Sequence, residues 1–105
     1  LNQVELKENV AERDCLIIIN QFYSGKEKSG ADITDSRLNF ILNTRFTEKV
    51  LMFNMVYHYN QKNINSFNLY VRYLNPYKKN TDYINYLSGK LYFETGSYKQ
   101  SYLYF

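Results

Sequence analysis

The sequence is poor in the residues that break up helices or cross-link small folds. One proline and four glycines among 105 residues argue against a β-sandwich with many turns. Cys15 is the only cysteine, so no internal disulfide can form, which fits both a reducing compartment and an exported domain without disulfides. The longest apolar run, Cys15 to Ile19, is far shorter than the roughly 20 residues of a membrane helix, and we expect no membrane span.

Charge and aromatic residues are present in quantity but unevenly placed. Residues 1–37 carry five basic and seven acidic side chains, whereas residues 38–105 carry eight basic and three acidic ones. This imbalance weakly favours acidic partners, although a solvated helical surface shows it too. Twelve tyrosines and seven phenylalanines occur without tryptophan. The chain begins with leucine, so we expect a fragment or a processed form, compatible with either a cytoplasmic or an exported location.

The N-terminal segment shows helical spacing of apolar side chains. A helix over residues 2–23 has two candidate stripes. They are Leu6, Val10, Arg13 and Ile17, and Ala11, Cys15, Ile18 and Phe22. The run Leu16-Ile17-Ile18-Ile19 is also compatible with a buried strand. Gly25 is placed to end the helix in a left-handed conformation.

The next segment predicts a loop and then further helices. Residues 24–34 are polar and contain two glycines, which indicates a mobile loop. Asp35 or Ser36 then caps a helix that carries Leu38, Ile41 and Leu42. Either Thr47 begins another helix, or one helix continues over residues 36–60.

The second half of the chain is more regular. Two stripes at spacings of three and four are formed by Phe46, Val50, Phe53 and Tyr57, and by Ile64, Phe67, Val71 and Leu74. Residues 61–63 form the turn between them, and Asn75-Pro76 ends the second helix. A helix over residues 82–95 stops at Gly96, and Ser97 with Gln100 has the spacing of a capping box. Short connections predict an all-α fold of antiparallel αα-hairpins.

One segment near the C-terminus combines small and aromatic residues at fixed distances. The small residue Gly89 is followed three positions later by the aromatic Tyr92. The turn glycine is Gly96, and Tyr98 lies two positions after it. Ser101 follows as a second small residue, and Phe105 as the next aromatic. This pattern resembles the tetratricopeptide repeat (TPR). The resemblance implies a right-handed solenoid fragment of stacked hairpins.

A weaker match lies one repeat length earlier in the chain. The corresponding positions hold Met55, His58, Lys62, Ile64 and Phe67, and only the helix–turn–helix pattern is kept. We therefore expect one helical domain over residues 1–105, with a degenerate repeat at 48–81 and a truncated repeat at 82–105. Residues 1–46 hold N-terminal helices and a loop, either as a further degenerate pair or as an unrelated cap.

The resemblance also implies a function in protein binding. In the TPR family the first helix of each repeat carries the binding face. The matching positions are Tyr83, Tyr86, Lys90 and Phe93 in the clear repeat, and Lys49, Met52, Val56 and Tyr59 in the weaker one. Only Lys90 suits a carboxylate clamp, so we expect a scaffold that binds another protein or peptide. The alternatives are side chains simply covered by neighbouring helices, and an assembly domain that acts within its own chain or as a homo-oligomer.

The sequence contains few residues that would support catalysis, metal binding or phosphate binding. His58 is the only histidine and sits at a repeat-packing position, and Cys15 lies in an apolar stripe. Gly25 and Gly30 have P-loop spacing, but alanine and aspartate follow them in place of lysine and a hydroxyl residue. We expect no catalytic residues, metal or cofactor.

Nucleic-acid binding is the remaining alternative. Arg72, Lys78 and Lys79 flank a tyrosine-rich stretch, and aromatic rings can stack on bases. The basic residues are scattered, however, and no nucleic-acid motif is present. The sequence therefore argues against this function.

Overall fold

The computed structural model describes residues 3–104, with their side chains from residue 9 onward. Within this part the protein is all-α, since 79% is helical and no strand is present. The expected all-α class is confirmed, and the alternative of a strand at Leu16–Ile19 is wrong because these residues lie within the first helix. None of the helices described is long and apolar enough to cross a membrane.

The helices of the described residues follow one another through short turns. They are α1 (Gln3–Tyr23), α2 (Glu27–Arg37), α3 (Thr47–Asn60), α4 (Ile64–Leu74), α5 (Thr81–Glu94) and α6 (Tyr98–Tyr102). Single 3₁₀ turns at Leu38–Phe40 and Asn75–Tyr77 follow α2 and α4. The chain divides into two compact units, residues 1–54 and residues 55–105, and each is described by itself.

In the first unit, α1 and α2 form a hairpin whose core comes from one of the two stripes of α1. The buried stripe is Ala11, Cys15, Ile18 and Phe22. In the other stripe Val10, Arg13 and Ile17 are exposed, and the side chain of Leu6 lies outside the described residues. Sequence periodicity alone does not show which of the two stripes is buried. Arg13 indicates that its own stripe faces solvent, because arginine is rarely buried.

The predicted loop over residues 24–34 is wrong, because α2 occupies most of it. Residues 27–37 are largely polar and exposed, and α2 packs through small residues, Gly30, Ala31 and Thr34. A Cβ atom added at Gly30 would lie 2.8 Å from the ring of Phe22. Close packing through small side chains leaves no large apolar stripe in the sequence, so the segment resembles a loop.

The helix predicted to carry Leu38, Ile41 and Leu42 is also wrong, as is one continuous helix over 36–60. Residues 41–46 are turns, held by threonine side chains: the Thr44 N–H donates to Thr47 Oγ1 (2.9 Å), and the Thr47 hydroxyl donates to the carbonyl of Ile41. Such local side-chain bonds compete with helix formation. Asp35 and Ser36 lie in the last turn of α2 rather than at the start of a helix, and α3 begins at Thr47.

In the second unit, α4, α5 and α6 follow the sequence-based expectation closely. Asn63 caps α4 by accepting a hydrogen bond from the Ser66 N–H (3.2 Å). Helix α4 buries Phe67, Tyr70 and Leu74, and α5 buries Ile84, Leu87 and Leu91. The predicted capping box at Ser97 is wrong, since its side chain makes no cap bond.

The small residues of the C-terminal hairpin meet directly. Ser101 Oγ on α6 donates to the carbonyl of Gly89 on α5 at 2.8 Å, and both residues are buried. Backbone and side chain can approach this closely because neither position carries a large group. The predicted close packing at Gly89 and Ser101 is confirmed.

The turns after α1, α3 and α5 share one hydrogen-bond pattern. In each, three N–H groups in succession reach back to the end of the preceding helix. The donors are Ser24, Gly25 and Lys26 in the first turn, Gln61, Lys62 and Asn63 in the second, and Thr95, Gly96 and Ser97 in the third. The central residues of the three turns have φ of +78°, +58° and +87° in chain order. The same local structure therefore recurs three times, and its central residue need not be glycine.

Replacing Gly96 with valine should lower the free energy of unfolding by about 1–3 kcal/mol, because a β-branched residue is strained at positive φ. Urea denaturation followed by circular dichroism measures the change. Gly96→Asn is the matched control, since Asn43 and Asn80 already adopt such angles here and the change should cost little. Equal stability of both variants and wild type would contradict the assignment of strain to this turn.

Candidate functional site

One side of α5 is exposed to solvent. Tyr83, Tyr86, Lys90 and Phe93, together called the α5 face, are all exposed, the three aromatics at 45%, 53% and 57%. The opposite side of the helix holds the buried Ile84, Leu87 and Leu91. The helical period produces this division, because spacings of three, four and three keep the four side chains on one side.

The side chains of the α5 face are loosely connected to one another. The Lys90 ammonium lies 6.0 Å from the centroid of the Tyr86 ring, a weak cation–π contact at an exposed site. Phe93 meets Tyr98 of α6 edge to face, with centroids 5.2 Å apart, and Tyr98 is itself exposed. The face therefore combines large aromatic area with one cation that a partner can still engage.

The second set of predicted binding residues is less open. Lys49 is exposed, whereas Met52, Val56 and Tyr59 are half-buried. In the first unit the Lys49 ammonium lies 5.1 Å from the Tyr23 ring centroid. In the second unit Tyr59 meets Phe67 at 6.3 Å between centroids. Lys49 and Met52 belong to the first unit, and Val56 and Tyr59 belong to the second.

The two residues that reactive chemistry would use are both buried. Cys15 is fully buried and its thiol contacts Thr44 Oγ1 at 3.5 Å; burial raises the pKa of the Cys15 thiol, which lowers its reactivity. His58 is also buried, with its ring stacked on Tyr70 at 5.3 Å. Both side chains serve core packing, as the sequence indicated.

Two of the basic residues of the second unit, Lys78 and Lys79, line a cleft, and Arg72 does not. A cleft of about 150 Å³ includes Lys78 and Lys79 together with Val71, Leu74 and Ile84. This is below the roughly 300–1,000 Å³ of small-molecule pockets. Among the described residues no cluster of three or more acidic, histidine or cysteine side chains forms a metal site.

A second exposed apolar surface was not predicted as a site. On α1 the side chains of Val10, Arg13, Leu16 and Ile17, together called the α1 face, are exposed, with Leu16 at 49% and Ile17 at 43%. Sequence periodicity placed these residues on a helix but not on its outer side. The signal that was available is Arg13, which is rarely buried unless paired.

Comparisons with protein-family models, with curated proteins and with solved structures find no significant match to this chain.

Proposed function

We propose that this chain is a TPR-like interaction module that binds another protein through the α5 face, with a binding rather than a catalytic role. The repeat character rests on the recurrent turn, centred on Gly25, Lys62 and Gly96, and on the close approach of Ser101 to Gly89. The recurrence of one kind of turn along a chain is typical of helical repeats, each of which buries its apolar side against a neighbour.

The observation that carries the binding proposal is the exposure of Tyr83, Tyr86 and Phe93 around Lys90. Tyrosine and phenylalanine are enriched in the cores of protein interfaces, and clustered aromatics supply much of the binding energy there. Exposed apolar surface that is contiguous, unlike single scattered apolar residues, often marks an interaction site. A protein or peptide with an apolar surface suits this composition.

Site-specific photocrosslinking tests whether the face is engaged. A photoreactive phenylalanine analogue is introduced at Tyr86 and, as control, at Phe40, an equally aromatic position that is 71% exposed outside the face. After irradiation in the native extract, we expect protein adducts from position 86 and not from position 40. Mass spectrometry of the adduct names the partner. Identical adducts at both positions, or none at position 86, would refute the proposal.

The double substitution Tyr86→Ala and Phe93→Ala should weaken the complex with the crosslinked partner by roughly 2 kcal/mol or more, which is about 30-fold in Kd. The reason is loss of two aromatic anchors whose rings are free to be buried on binding. Titration calorimetry measures the affinity, and circular dichroism checks the fold. Full affinity in a folded double variant would place the binding surface elsewhere.

A further inference from the structure

The recurrent turns allow the α5 face to be compared with its counterparts in the same chain. When the turn at Gly96 is aligned with the turns at Lys62 and Gly25, each residue of the α5 face has a counterpart on α3 and on α1. The counterparts are Lys49, Met52, Val56 and Tyr59 of α3, and Glu12, Cys15, Ile19 and Phe22 of α1. The side chains are exposed on α5, mostly half-buried on α3 and mostly buried on α1. One side of the repeat is thus covered in the first unit and open on α5.

Within the first unit the cover comes from residues 41–53. Cys15 Sγ reaches the Ile41 carbonyl at 3.8 Å, and Glu12 pairs with Arg45 at 3.9 Å. Phe22 stacks on Phe53 of α3, with centroids 5.1 Å apart and the rings 7° from parallel. The side of α1 that corresponds to the α5 face is therefore covered by the turns of residues 41–46 and by Phe53 of α3.

The α1 face shows the reciprocal pattern. When the turn at Gly25 is aligned with the turn at Lys62, its residues correspond to Thr47, Val50, Phe53 and Asn54 on α3. Three of these are fully buried, and Phe53 is the residue that stacks on Phe22. Leu16, the counterpart of Phe53, is open to solvent. The chain thus exposes the counterparts of both partners in the ring contact that it makes internally between Phe22 of α1 and Phe53 of α3.

Charge favours bringing the two halves together from different molecules. The first unit, residues 1–54, carries seven basic and eight acidic side chains, a net charge of −1, and residues 55–105 carry six basic and two acidic ones, a net of +4. Opposite net charges steer association. Arg13 on the α1 face also suits an aromatic surface, because a guanidinium stacks on aromatic rings.

We propose that the α5 face of one copy is covered by the α1 face of a second copy, head to tail, with Phe93 against Leu16 in the way that Phe22 meets Phe53. The inference rests on the proposed function, since it names the partner of the same face. Such a contact joins two different surfaces, so it leaves one of each open at the ends and continues into longer assemblies.

Sedimentation of the purified chain, from micromolar to millimolar concentration, tests the contact with two blocking variants. Leu16→Glu buries a charge at the α1 face, and Phe93→Glu does so at the α5 face. Each variant alone should associate about tenfold or more weakly than wild type, since one half of the contact is damaged. Their equimolar mixture should form a 1:1 pair and nothing longer, because each supplies the half that the other lacks.

The control is Phe40→Glu, which places the same charge at an exposed aromatic outside both faces and should associate like wild type. A wild-type chain that stays monomeric throughout would overturn the inference. So would association that Phe93→Glu abolishes and Leu16→Glu leaves intact, because the α5 face would then pair with another surface. In the first case a Tyr86 photoadduct with a different protein would leave the proposed function standing, whereas its absence would remove both. In the second case the proposed function stands, because the α5 face still binds a protein.

Discussion

Replacing Phe67 with alanine should lower the free energy of unfolding by about 3–5 kcal/mol. The side chain is fully buried on α4 and meets the ring of Tyr59 across the hairpin. Its removal loses the transfer free energy of the ring and leaves a cavity that neighbouring side chains fill only in part. Because small domains are stable by roughly 5–15 kcal/mol in total, this one change removes a large share.

Urea denaturation with circular dichroism measures the effect of Phe67→Ala. The control is Phe67→Leu, which keeps most of the volume and should cost under about 1.5 kcal/mol. The midpoint of Phe67→Ala should fall well below that of the control, with a similar dependence on urea. Equal midpoints for the two variants would mean that the position collapses without a cavity, and that Phe67 does not hold α4 to α3.

Phe67 also shows what sequence patterns could and could not predict. It was identified as a member of a helical stripe, and the ends of α4 and α5 followed from Pro76 and Gly96. Large apolar residues at spacings of three and four carry that information on their own. When the three turns are aligned, Gly30 and Ser101 correspond to Phe67. Both are small and buried, and a small residue looks the same in a sequence whether it is buried or in a loop.

Helical spacing in the sequence predicts which residues share the candidate site, but it does not predict whether their side chains are exposed. Helical spacing puts Tyr83, Tyr86 and Phe93 on one side of α5, which the structure bears out. Whether that side is covered depends on residues distant in sequence, as the burial of the counterparts on α1 demonstrates. Lys62 makes a related point, because a lysine adopts the positive φ that the sequence assigned to glycine. Its ammonium contacts the Tyr59 ring and pairs with Glu94.

Gly30→Leu should lower the free energy of unfolding by about 3 kcal/mol, for the opposite reason to Phe67→Ala. Even a Cβ atom at Gly30 would lie 2.8 and 2.9 Å from two ring atoms of Phe22, closer than packed atoms come. The Phe22 ring cannot simply swing away, because it is buried and stacked on Phe53. Leucine is the better helix former by about 1 kcal/mol, which offsets only part of the overpacking.

A second substitution in the same contact separates this clash from a general loss of helix. In the background of Phe22→Ala the space beside residue 30 is open, so Gly30→Leu should there lower the free energy of unfolding much less, or raise it. The effects of the two substitutions on that free energy should therefore be strongly non-additive. Gly25→Ala is a contrasting control: its Cβ meets nothing within 4 Å, and its cost comes from φ of +78° alone, so Phe22→Ala should not relieve it. Urea midpoints of the single and double variants measure the coupling. Additive effects of Gly30→Leu and Phe22→Ala would show that α2 does not approach α1 through this glycine.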